Sequence, residues 1–261
     1  MSSQAEAAVF YDAHVTRRLE SFVEGNARVE RAWRTVVDWA PASPRQVLEV
    51  GCGIGDISWR MARRWPAAHV TGLDLSRKSV EMARRLFALP NLTFLEGTLL
   101  TAALIGDFDL ILLMDVYEHI ARDERAGVHT ALGALASERA RLILSFPTPR
   151  HQGWLRAEHP DELQPVDEDI YPETAAALAE AVGASLALYQ EVDVWHEADY
   201  AHAVLVRRSG YAPVPEWKDP APGIRETLRL ALRRRSALAR ELDRSGRRDL
   251  VRERLGPGHY R

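Results

Sequence analysis

The feature that most constrains this chain is an apolar strand that runs directly into three closely spaced glycines. It reads Val47-Leu48-Glu49-Val50-Gly51-Cys52-Gly53-Ile54-Gly55. Glycines at alternate positions let the backbone turn tightly and approach a ligand at the carboxyl end of a buried strand. The run therefore predicts a nucleotide-type site between a strand and the helix that follows it.

Two carboxylates near this loop restrict the kind of nucleotide. A dinucleotide-binding fingerprint needs its third glycine one position after Gly55, where this chain has Asp56, and a carboxylate there would repel a pyrophosphate. Glu49, two residues before Gly51, also fits a cationic ligand better than an anionic one. Both residues argue against NAD or FAD.

An acidic residue at the end of the next predicted strand supports a nucleoside ligand. Asp74 follows Val70-Thr71-Gly72-Leu73, one strand-helix unit after the glycine loop. At that position a carboxylate can accept hydrogen bonds from two ribose hydroxyls. Alone, Asp74 could belong to the cap of the next helix, but together with the glycine loop it predicts ribose binding.

Short apolar runs alternate with amphipathic stretches from residue 46 onward, which is typical of a parallel sheet built from βα units. The last two runs are joined by too few residues for a helical crossover and are predicted to form an antiparallel hairpin. We therefore expect an α/β fold: a Rossmann-like, seven-stranded, mostly parallel sheet with an antiparallel last strand and helices on both faces. The predicted strands are 47–50, 69–73, 92–95, 108–114, 141–146, 186–194 and 202–207. The predicted helices, after a helical first forty residues, are 57–65, 77–87, 122–136 and 168–182.

Composition bounds the setting and the partners. With 261 residues, 46% of them hydrophobic, the chain can bury a large core without disulfides. A formal net charge of -3 gives no global attraction to nucleic acid or membrane. The single cysteine, Cys52, and the lack of a leader-like or membrane-spanning apolar run predict a reducing, cytoplasmic setting.

With these motifs the sequence resembles the class I S-adenosylmethionine-dependent methyltransferases over about 46–207. The resemblance makes 46–208 a methyltransferase domain that binds S-adenosylmethionine, with a helical cap at 1–45 and a linker and arginine-rich C-terminal helix at 209–261. It implies that Glu49, Gly51, Gly53 and Gly55 hold the methionine end of the cofactor and Asp74 the ribose. The remaining cofactor residues expected from it are Cys52, Leu75, Thr98, Leu99 and Met114, with Thr98 near the adenine amino group and Leu75 and Leu99 against the ring.

The fourth predicted strand delivers polar residues at its carboxyl end, where open α/β sheets keep their chemistry. Asp115, Tyr117, Glu118 and His119 stand there, and the run resembles the branch of ubiquinone-biosynthesis O-methyltransferases. We expect neutral His119 to act as a general base on an acceptor hydroxyl, with Asp115 and Tyr117 as further catalytic residues.

Two other interpretations of this run stay open. Asp115, Glu118, His119 and His159 together could bind a divalent metal, a pattern that resembles the small-RNA 2′-O-methyltransferases. Alternatively, Glu118 and His119 cap the helix that follows. We rank the base first and the metal last, so no metal is expected.

The acceptor is expected to meet a long irregular segment at 146–166, which starts at the active edge of the sheet. His151, Trp154 and His159 are its candidate substrate-binding residues, although Trp154 could equally anchor the segment. On the other side, Phe10-Tyr11-Asp12-Ala13-His14 resembles the segment that folds over the cofactor in relatives, and Tyr11 is the candidate contact to the methionine carboxylate.

The resulting prediction is an enzyme that methylates a small molecule, with a hydroxyl as the favoured acceptor, in natural-product or sugar metabolism. N- or C-methylation, an RNA acceptor and a non-catalytic scaffold are the alternatives, and the near-neutral charge argues against RNA. The C-terminal helix at 224–242 has one apolar face, which predicts docking on the body or on a second copy as a homodimer.

Overall fold

The protein folds around one seven-stranded sheet with the order β3-β2-β1-β4-β5-β7-β6. The structure is a computed structural model that describes residues 3–210, 237–256 and 258, and the side chains of 7–210, 243–256 and 258. The strands are β1 (Gln46–Val50), β2 (His69–Asp74), β3 (Leu92–Glu96), β4 (Phe108–Met114), β5 (Ala136–Pro147), β6 (Ser185–Val192) and β7 (Tyr200–Val206).

The strand directions confirm the predicted fold class. β1 to β5 are parallel neighbours, and β7 is antiparallel to both β5 and β6. β6 and β7 are joined by residues 193–199, too few for a helical crossover, so they pair as a hairpin. In the sheet β7 lies between β5 and β6, which leaves β6 at the edge.

Nine helices are described. They are α1 (Ser3–Ala13), α2 (Val15–Glu24), α3 (Ala27–Trp39), α4 (Asp56–Arg64), α5 (Arg77–Leu86), α6 (Arg125–Leu135), α7 (Pro149–Glu158), α8 (Pro172–Ala181) and α9 (Ala237–Leu255). Among the described residues, none of the helices has the length and apolar character of a membrane span.

Residues 3–39 form three helices rather than a continuous one. The break between α2 and α3 follows from Gly25, whose φ of +87° does not continue a helix, and from Asn26. The Asn26 side chain accepts hydrogen bonds from the backbone nitrogens of Arg28 (2.9 Å) and Val29 (3.4 Å), which starts α3 in a new direction.

The core lies on both faces of the sheet because side chains alternate along each strand. On β4, Leu110 and Leu112 face a cluster with α3 and α4, while Ile111 and Leu113 face a second cluster with α6 and α8. These four leucine and isoleucine side chains are fully buried. The prediction of helices on both faces is confirmed.

The prediction of an irregular segment at 146–166 is wrong over its first half. β5 continues to Pro147, and α7 then occupies Pro149–Glu158. Thr148 caps this helix, since its hydroxyl accepts a hydrogen bond from the His151 nitrogen at 3.3 Å, and Pro149 stands at the first helical position. The Thr-Pro pair is a helix-start signal.

The predicted helix at 224–242 lies outside the described residues except for 237–242, which form the start of α9. The described part of α9 packs against α2 and α5. Its Val251 and Leu255 side chains are buried among residues of the body. Docking on the same chain is therefore the arrangement found for this part.

The conformation of Gly55, directly before α4, yields a first prediction about stability. Its φ is +90°, and a Cβ there would lie 2.6 Å from the Phe94 ring and 3.2 Å from the Ala83 side chain. We expect Gly55→Ala to lower the free energy of unfolding by about 2 kcal/mol or more, because strain and overlap add. Urea denaturation followed by circular dichroism measures this.

Gly153→Ala is the matched control. Gly153 lies inside α7. Apart from its chain neighbours and the α7 backbone, no described atom would lie within 4 Å of a Cβ added to it, so alanine should raise stability by about 0.5–1 kcal/mol. Equal effects of the two substitutions would contradict the assignment of strain to the glycine loop.

Candidate functional site

A cavity of about 320 Å³ lies at the carboxyl edge of the sheet. Its floor is the glycine loop with the ends of β2 and β4, and its walls come from α1, α2, α3 and residues 164–166. Its size and position are typical of small-molecule sites in open α/β folds. The predicted site residues that line it are Tyr11, Glu49, Gly51, Cys52, Gly53, Asp74, Leu75, Thr98, Leu99, Met114, Asp115 and His119.

Tyr117 lies outside this lining, contrary to expectation. Its ring is buried in the core, and its hydroxyl bonds the Nε2 atom of His129 at 2.8 Å. A short 3₁₀ turn at Tyr117–His119 directs Tyr117 inward and His119 to the cavity. Gly55 is also absent from the lining, and its role is the close approach to Phe94 described above.

The predicted substrate-binding residues form a separate aromatic cluster. Trp154 lies with its ring centre 5.4 Å from that of His151 and 4.5 Å from that of His159. His196 joins the same cluster. None of these side chains lines the cavity, so the structure does not bring His151, Trp154 and His159 to the predicted ligand.

Asp74 fixes the glycine loop. Its Oδ2 accepts a hydrogen bond from the Gly53 nitrogen at 2.7 Å, and its Oδ1 accepts one from the Ser76 nitrogen at 2.8 Å. Burial raises the pKa of Asp74, while Arg18 and these hydrogen bonds oppose the rise. Each oxygen keeps a second lone pair, so the carboxylate can still accept from a ligand diol.

Two glycines of the same loop stand where a side chain would overlap its neighbours. A Cβ on Gly51 would lie 2.3 Å from the Val116 side chain, and one on Gly53 would lie 2.9 Å from the Arg18 guanidinium. Both glycines have positive φ, at +69° and +54°. The loop therefore forms a narrow cradle between the end of β4 and the cap.

Glu49 is a buried carboxyl in the cavity floor. It accepts a short hydrogen bond from the Ser58 hydroxyl, and burial raises its pKa to about 8, an effect that the bond to Ser58 only partly offsets. A ligand ammonium group beside it would favour the ionised form. The site therefore suits a cation at Glu49.

Arg28 forms an ion pair with the predicted catalytic residue Asp115. Its Nε lies 2.9 Å from Asp115 Oδ2, and the Ser145 hydroxyl donates to Asp115 Oδ1 at 3.2 Å. Asp115 has a φ of +56°, a left-handed conformation that aspartate adopts more easily than most residues. The arginine comes from the cap, so the pair joins α3 to the end of β4.

Arg18 is a second cap arginine in the cavity lining. Its guanidinium lies over the ring of Tyr11, 5.1 Å from the ring centre, and close to the glycine loop. Sequence reasoning missed both Arg18 and Arg28, because no local pattern separates them from the many other arginines of this chain.

His119 is held by the segment that follows α7. Its Nδ1 lies 2.8 Å from the Val166 carbonyl oxygen and 3.0 Å from Asp167 Oδ1, so Nδ1 carries the hydrogen and donates to these acceptors. Burial by itself would lower the pKa of His119, but Glu118, Asp167 and the Val166 carbonyl outweigh it and raise the pKa to about 9. The neutral imidazole expected from the sequence stays a prediction, and these contacts favour the cationic form.

Glu118 supplies part of that effect from beneath the cavity. Its carboxyl is buried, its Oε1 lies 3.6 Å from His119 Nε2, and neither oxygen has a hydrogen-bond partner among the described residues. Burial raises the pKa of Glu118, and the neighbouring charge of His119 opposes the rise. Because Nδ1 is committed to Val166 and Asp167, Nε2 is the nitrogen of His119 that gains or loses the proton.

A chain of hydrogen bonds links the cap to His119. The Tyr11 hydroxyl donates to Gln164 Oε1 at 2.7 Å, and the backbone nitrogen of Gln164 donates to Asp167 Oδ2 at 2.7 Å. Burial raises the pKa of Tyr11, which keeps the hydroxyl a donor. Tyr11 thus reaches across the cavity mouth to residues that position His119, which its sequence context did not reveal.

The alternative metal set is not assembled. Among the residues whose side chains the structure describes, no group of three or more histidine, cysteine, aspartate or glutamate side chains is placed to hold a metal ion. Asp115 is paired with Arg28, and His159 lies with Trp154.

Comparison with known proteins relates this chain to methyltransferases. Residues 47–137 match the family described as "Methyltransferase domain". A ubiquinone biosynthesis O-methyltransferase of Erwinia tasmaniensis is 34% identical over 118 residues, which is 43% of this chain and 46% of that protein. A trans-aconitate 2-methyltransferase of Escherichia coli is 27% identical over 158 residues, 59% of this chain and 60% of that protein. The chain thus spans less than two thirds of these relatives.

A solved structure shares the fold. Magnesium protoporphyrin IX methyltransferase of Synechocystis with bound S-adenosylmethionine superposes with a TM-score of 0.57 at 20% identity, covering 80% of this chain and 98% of that one. At this identity the likeness concerns the fold.

The contact between Asp167 and His119 yields a second prediction. Asp167→Asn removes the negative charge but keeps a hydrogen-bond acceptor, so the pKa of His119 should fall below about 9. Titration of the His119 ring signals by NMR measures this directly. A His119 pKa that is raised in the folded state stabilises the protein fully below pH 6.5, and this stabilisation is lost as the pH rises to about 9. The free energy of unfolding of the variant should therefore decrease less than that of the wild type over this pH range.

Asp169→Asn serves as the control. It removes the same charge two residues away, where the partner is Arg156 at 3.0 Å and the side chains are more exposed. An unchanged His119 titration in Asp167→Asn would mean that Glu118 and the Val166 carbonyl sustain the raised pKa without Asp167.

Proposed function

We propose that this chain, whose residues 47–137 match a methyltransferase domain family, is a class I S-adenosylmethionine-dependent methyltransferase that transfers a methyl group to an oxygen of a small molecule. The observation that carries the proposal is the cavity itself. Glu49, Asp74 and the glycine loop line one part of it. His119 lines another part, with Nδ1 bound to the Val166 carbonyl and Nε2 left to exchange a proton.

The cavity floor suits the groups of S-adenosylmethionine. Glu49 fits its ammonium group, because a cation there relieves the cost of burying an ionised carboxylate. Asp74 fits the ribose diol through its remaining lone pairs. Leu75 and Leu99 supply apolar surface for adenine, beside the Thr98 hydroxyl. Either cap arginine, Arg18 or Arg28, can neutralise the methionine carboxylate.

Once bound, S-adenosylmethionine supplies an activated methyl group on a positively charged sulfur. The residues of the chain then have to align the acceptor oxygen with that methyl group and exclude water. The cap helices and residues 164–166 cover the cavity, and the bond from Tyr11 to Gln164 joins these two walls. Catalysis by this site is mainly positioning.

The protonation state of His119 determines which kind of acceptor oxygen the site suits. For a hydroxyl, as in natural products and sugars, neutral His119 accepts the proton at Nε2 while the oxygen attacks. For a carboxylate no proton has to be removed, and the cationic form of His119 instead holds the anion. The raised pKa of His119 favours this second candidate at pH 7. Of the two relatives, one is named as an O-methyltransferase of ubiquinone biosynthesis and the other as a methyltransferase of trans-aconitate, which is a carboxylate.

Transfer of a deuterated methyl group tests the proposal. The wild type is incubated with S-adenosylmethionine labelled in the methyl group and a fractionated cell extract, and mass spectrometry identifies the labelled product. We expect label on an oxygen of a small metabolite. With a hydroxyl acceptor, His119→Gln should reduce the rate about a hundredfold, because it removes the proton-binding group, while binding of S-adenosylhomocysteine measured by calorimetry stays unchanged.

His69→Gln is the control, since His69 is exposed at the opposite end of β2. Label on nitrogen or carbon would refute O-methylation, and label in RNA would move the acceptor to a macromolecule. Failure of the wild type to bind S-adenosylhomocysteine would overturn the proposal as a whole.

The pH dependence of kcat/KM separates the two acceptor forms. With a hydroxyl acceptor the neutral fraction of His119 is limiting, so the rate should rise about tenfold per pH unit from pH 7 and level off near 9. With a carboxylate acceptor the rate should be constant below 9 and fall above it. Persistence of either profile in His119→Gln would show that another group titrates.

A further inference from the structure

The C-terminal helix α9 packs directly behind the cofactor site. Val251 and Leu255 of α9 are buried in one apolar cluster with Leu19 and Phe22 of α2. Cys52 and Ile54 of the glycine loop belong to the same cluster. Phe22, Cys52 and Ile54 also line the cavity, so α9 supports its wall from the outside.

Arg247 is the polar contact at the centre of this packing. Its Nη1 donates to the Phe22 carbonyl oxygen at 3.1 Å, and its guanidinium lies 5.6 Å from the centre of the Phe22 ring. Its Nη2 donates to Glu30 Oε1 at 3.2 Å and to Asp243 Oδ2 at 2.7 Å. One side chain thus holds α2, α3 and α9 together.

The ion pairs continue from Glu30 to the glycine loop. Glu30 Oε1 also accepts a hydrogen bond from Arg60 Nη2 at 2.8 Å. Arg60 in turn binds both carboxylate oxygens of Asp56, at 2.8 and 3.1 Å. Asp56 lines the cavity and directly follows Gly55, so this relay of Arg247, Glu30, Arg60 and Asp56 ends on the glycine loop.

Shared partners make this relay sensitive to the loss of one member. Glu30 binds two arginines, and Arg60 binds two carboxylates, so the charges alternate along the relay. Arg60 and Asp56 are largely buried, and ion pairs with little water around them are screened weakly. Removing Arg247 leaves Glu30 with Arg60 as its partner and releases the tie to Phe22.

We propose that Arg247 is a positioning residue for the cofactor site, through which the C-terminal helix α9 holds the cap and the glycine loop in the geometry that binds S-adenosylmethionine. The inference rests on the proposed function. It extends the functional unit well beyond residues 47–137, which match the methyltransferase family. Arg247 itself is absent from the cavity lining and acts through Phe22, Glu30, Arg60 and Asp56.

Binding of S-adenosylhomocysteine to full-length variants, measured by calorimetry, tests this inference. Arg247→Ala should weaken binding about tenfold or more, and Arg247→Lys should recover part of the loss, because lysine keeps the charge but cannot reach both Phe22 and Glu30. Arg254→Ala removes an exposed arginine from the same helix and should leave the dissociation constant unchanged. A binding stoichiometry near one per chain shows that each variant is folded.

Kinetics distinguish positioning from general destabilisation. Arg247→Ala should raise KM for S-adenosylmethionine by the same factor, while kcat at saturating cofactor stays near the wild-type value. If the wild type binds S-adenosylhomocysteine and Arg247→Ala binds it equally well, the role of Arg247 is refuted while the proposed function stands. If the wild type does not bind it, the proposed function fails first.

Should Arg247→Ala fail to fold, Glu30→Gln interrupts the same relay and keeps the test open. It removes the charge that Arg247 and Arg60 share, so the dissociation constant should again rise. Unchanged binding in a folded Glu30→Gln variant would overturn the relay.

Discussion

The hydrogen bonds of Asp74 to the backbone underlie the site. A buried carboxylate that accepts from Gly53 and Ser76 ties the glycine loop to the end of β2, and the Cys52 nitrogen adds a bond to the Leu73 carbonyl. Hydrogen bonds to an ionised acceptor are stronger than neutral ones, and here they fix backbone that only glycine adopts easily. The floor of the cavity depends on this arrangement.

The cap contributes charge as well as cover. The edge of the sheet concentrates the carboxylates of Glu49, Asp74 and Asp115, and burying them without cations would be costly. Arg28 pairs with Asp115, and Arg18 lies near the glycine loop. The cap therefore brings positive charge to the acidic edge that it covers, and the relay through Arg247 connects it to α9.

Local patterns predicted much of the fold and part of the site. The seven strands and their direction follow from apolar runs and short connections. The glycine loop and Asp74 could be predicted because the tight turn requires glycine and its backbone nitrogen requires an acceptor. Helix α7 was missed although Thr148 and Pro149 signal its start. Tyr117 was misplaced because a 3₁₀ turn, which the sequence did not reveal, reverses its direction.

The sequence by itself determined the sheet, the strand-to-helix loop and the polar residues at the strand ends, because these follow from interactions between residues close in the chain. Only the tertiary structure decided which distant groups meet them. Asp167, 48 residues after His119, accepts a hydrogen bond from its Nδ1. Arg247 of the C-terminal helix α9 forms an ion pair with Glu30 of α3. Such charge pairs form when separate elements pack, so no local pattern encodes them, yet they set the pKa of His119 and the shape of the cavity.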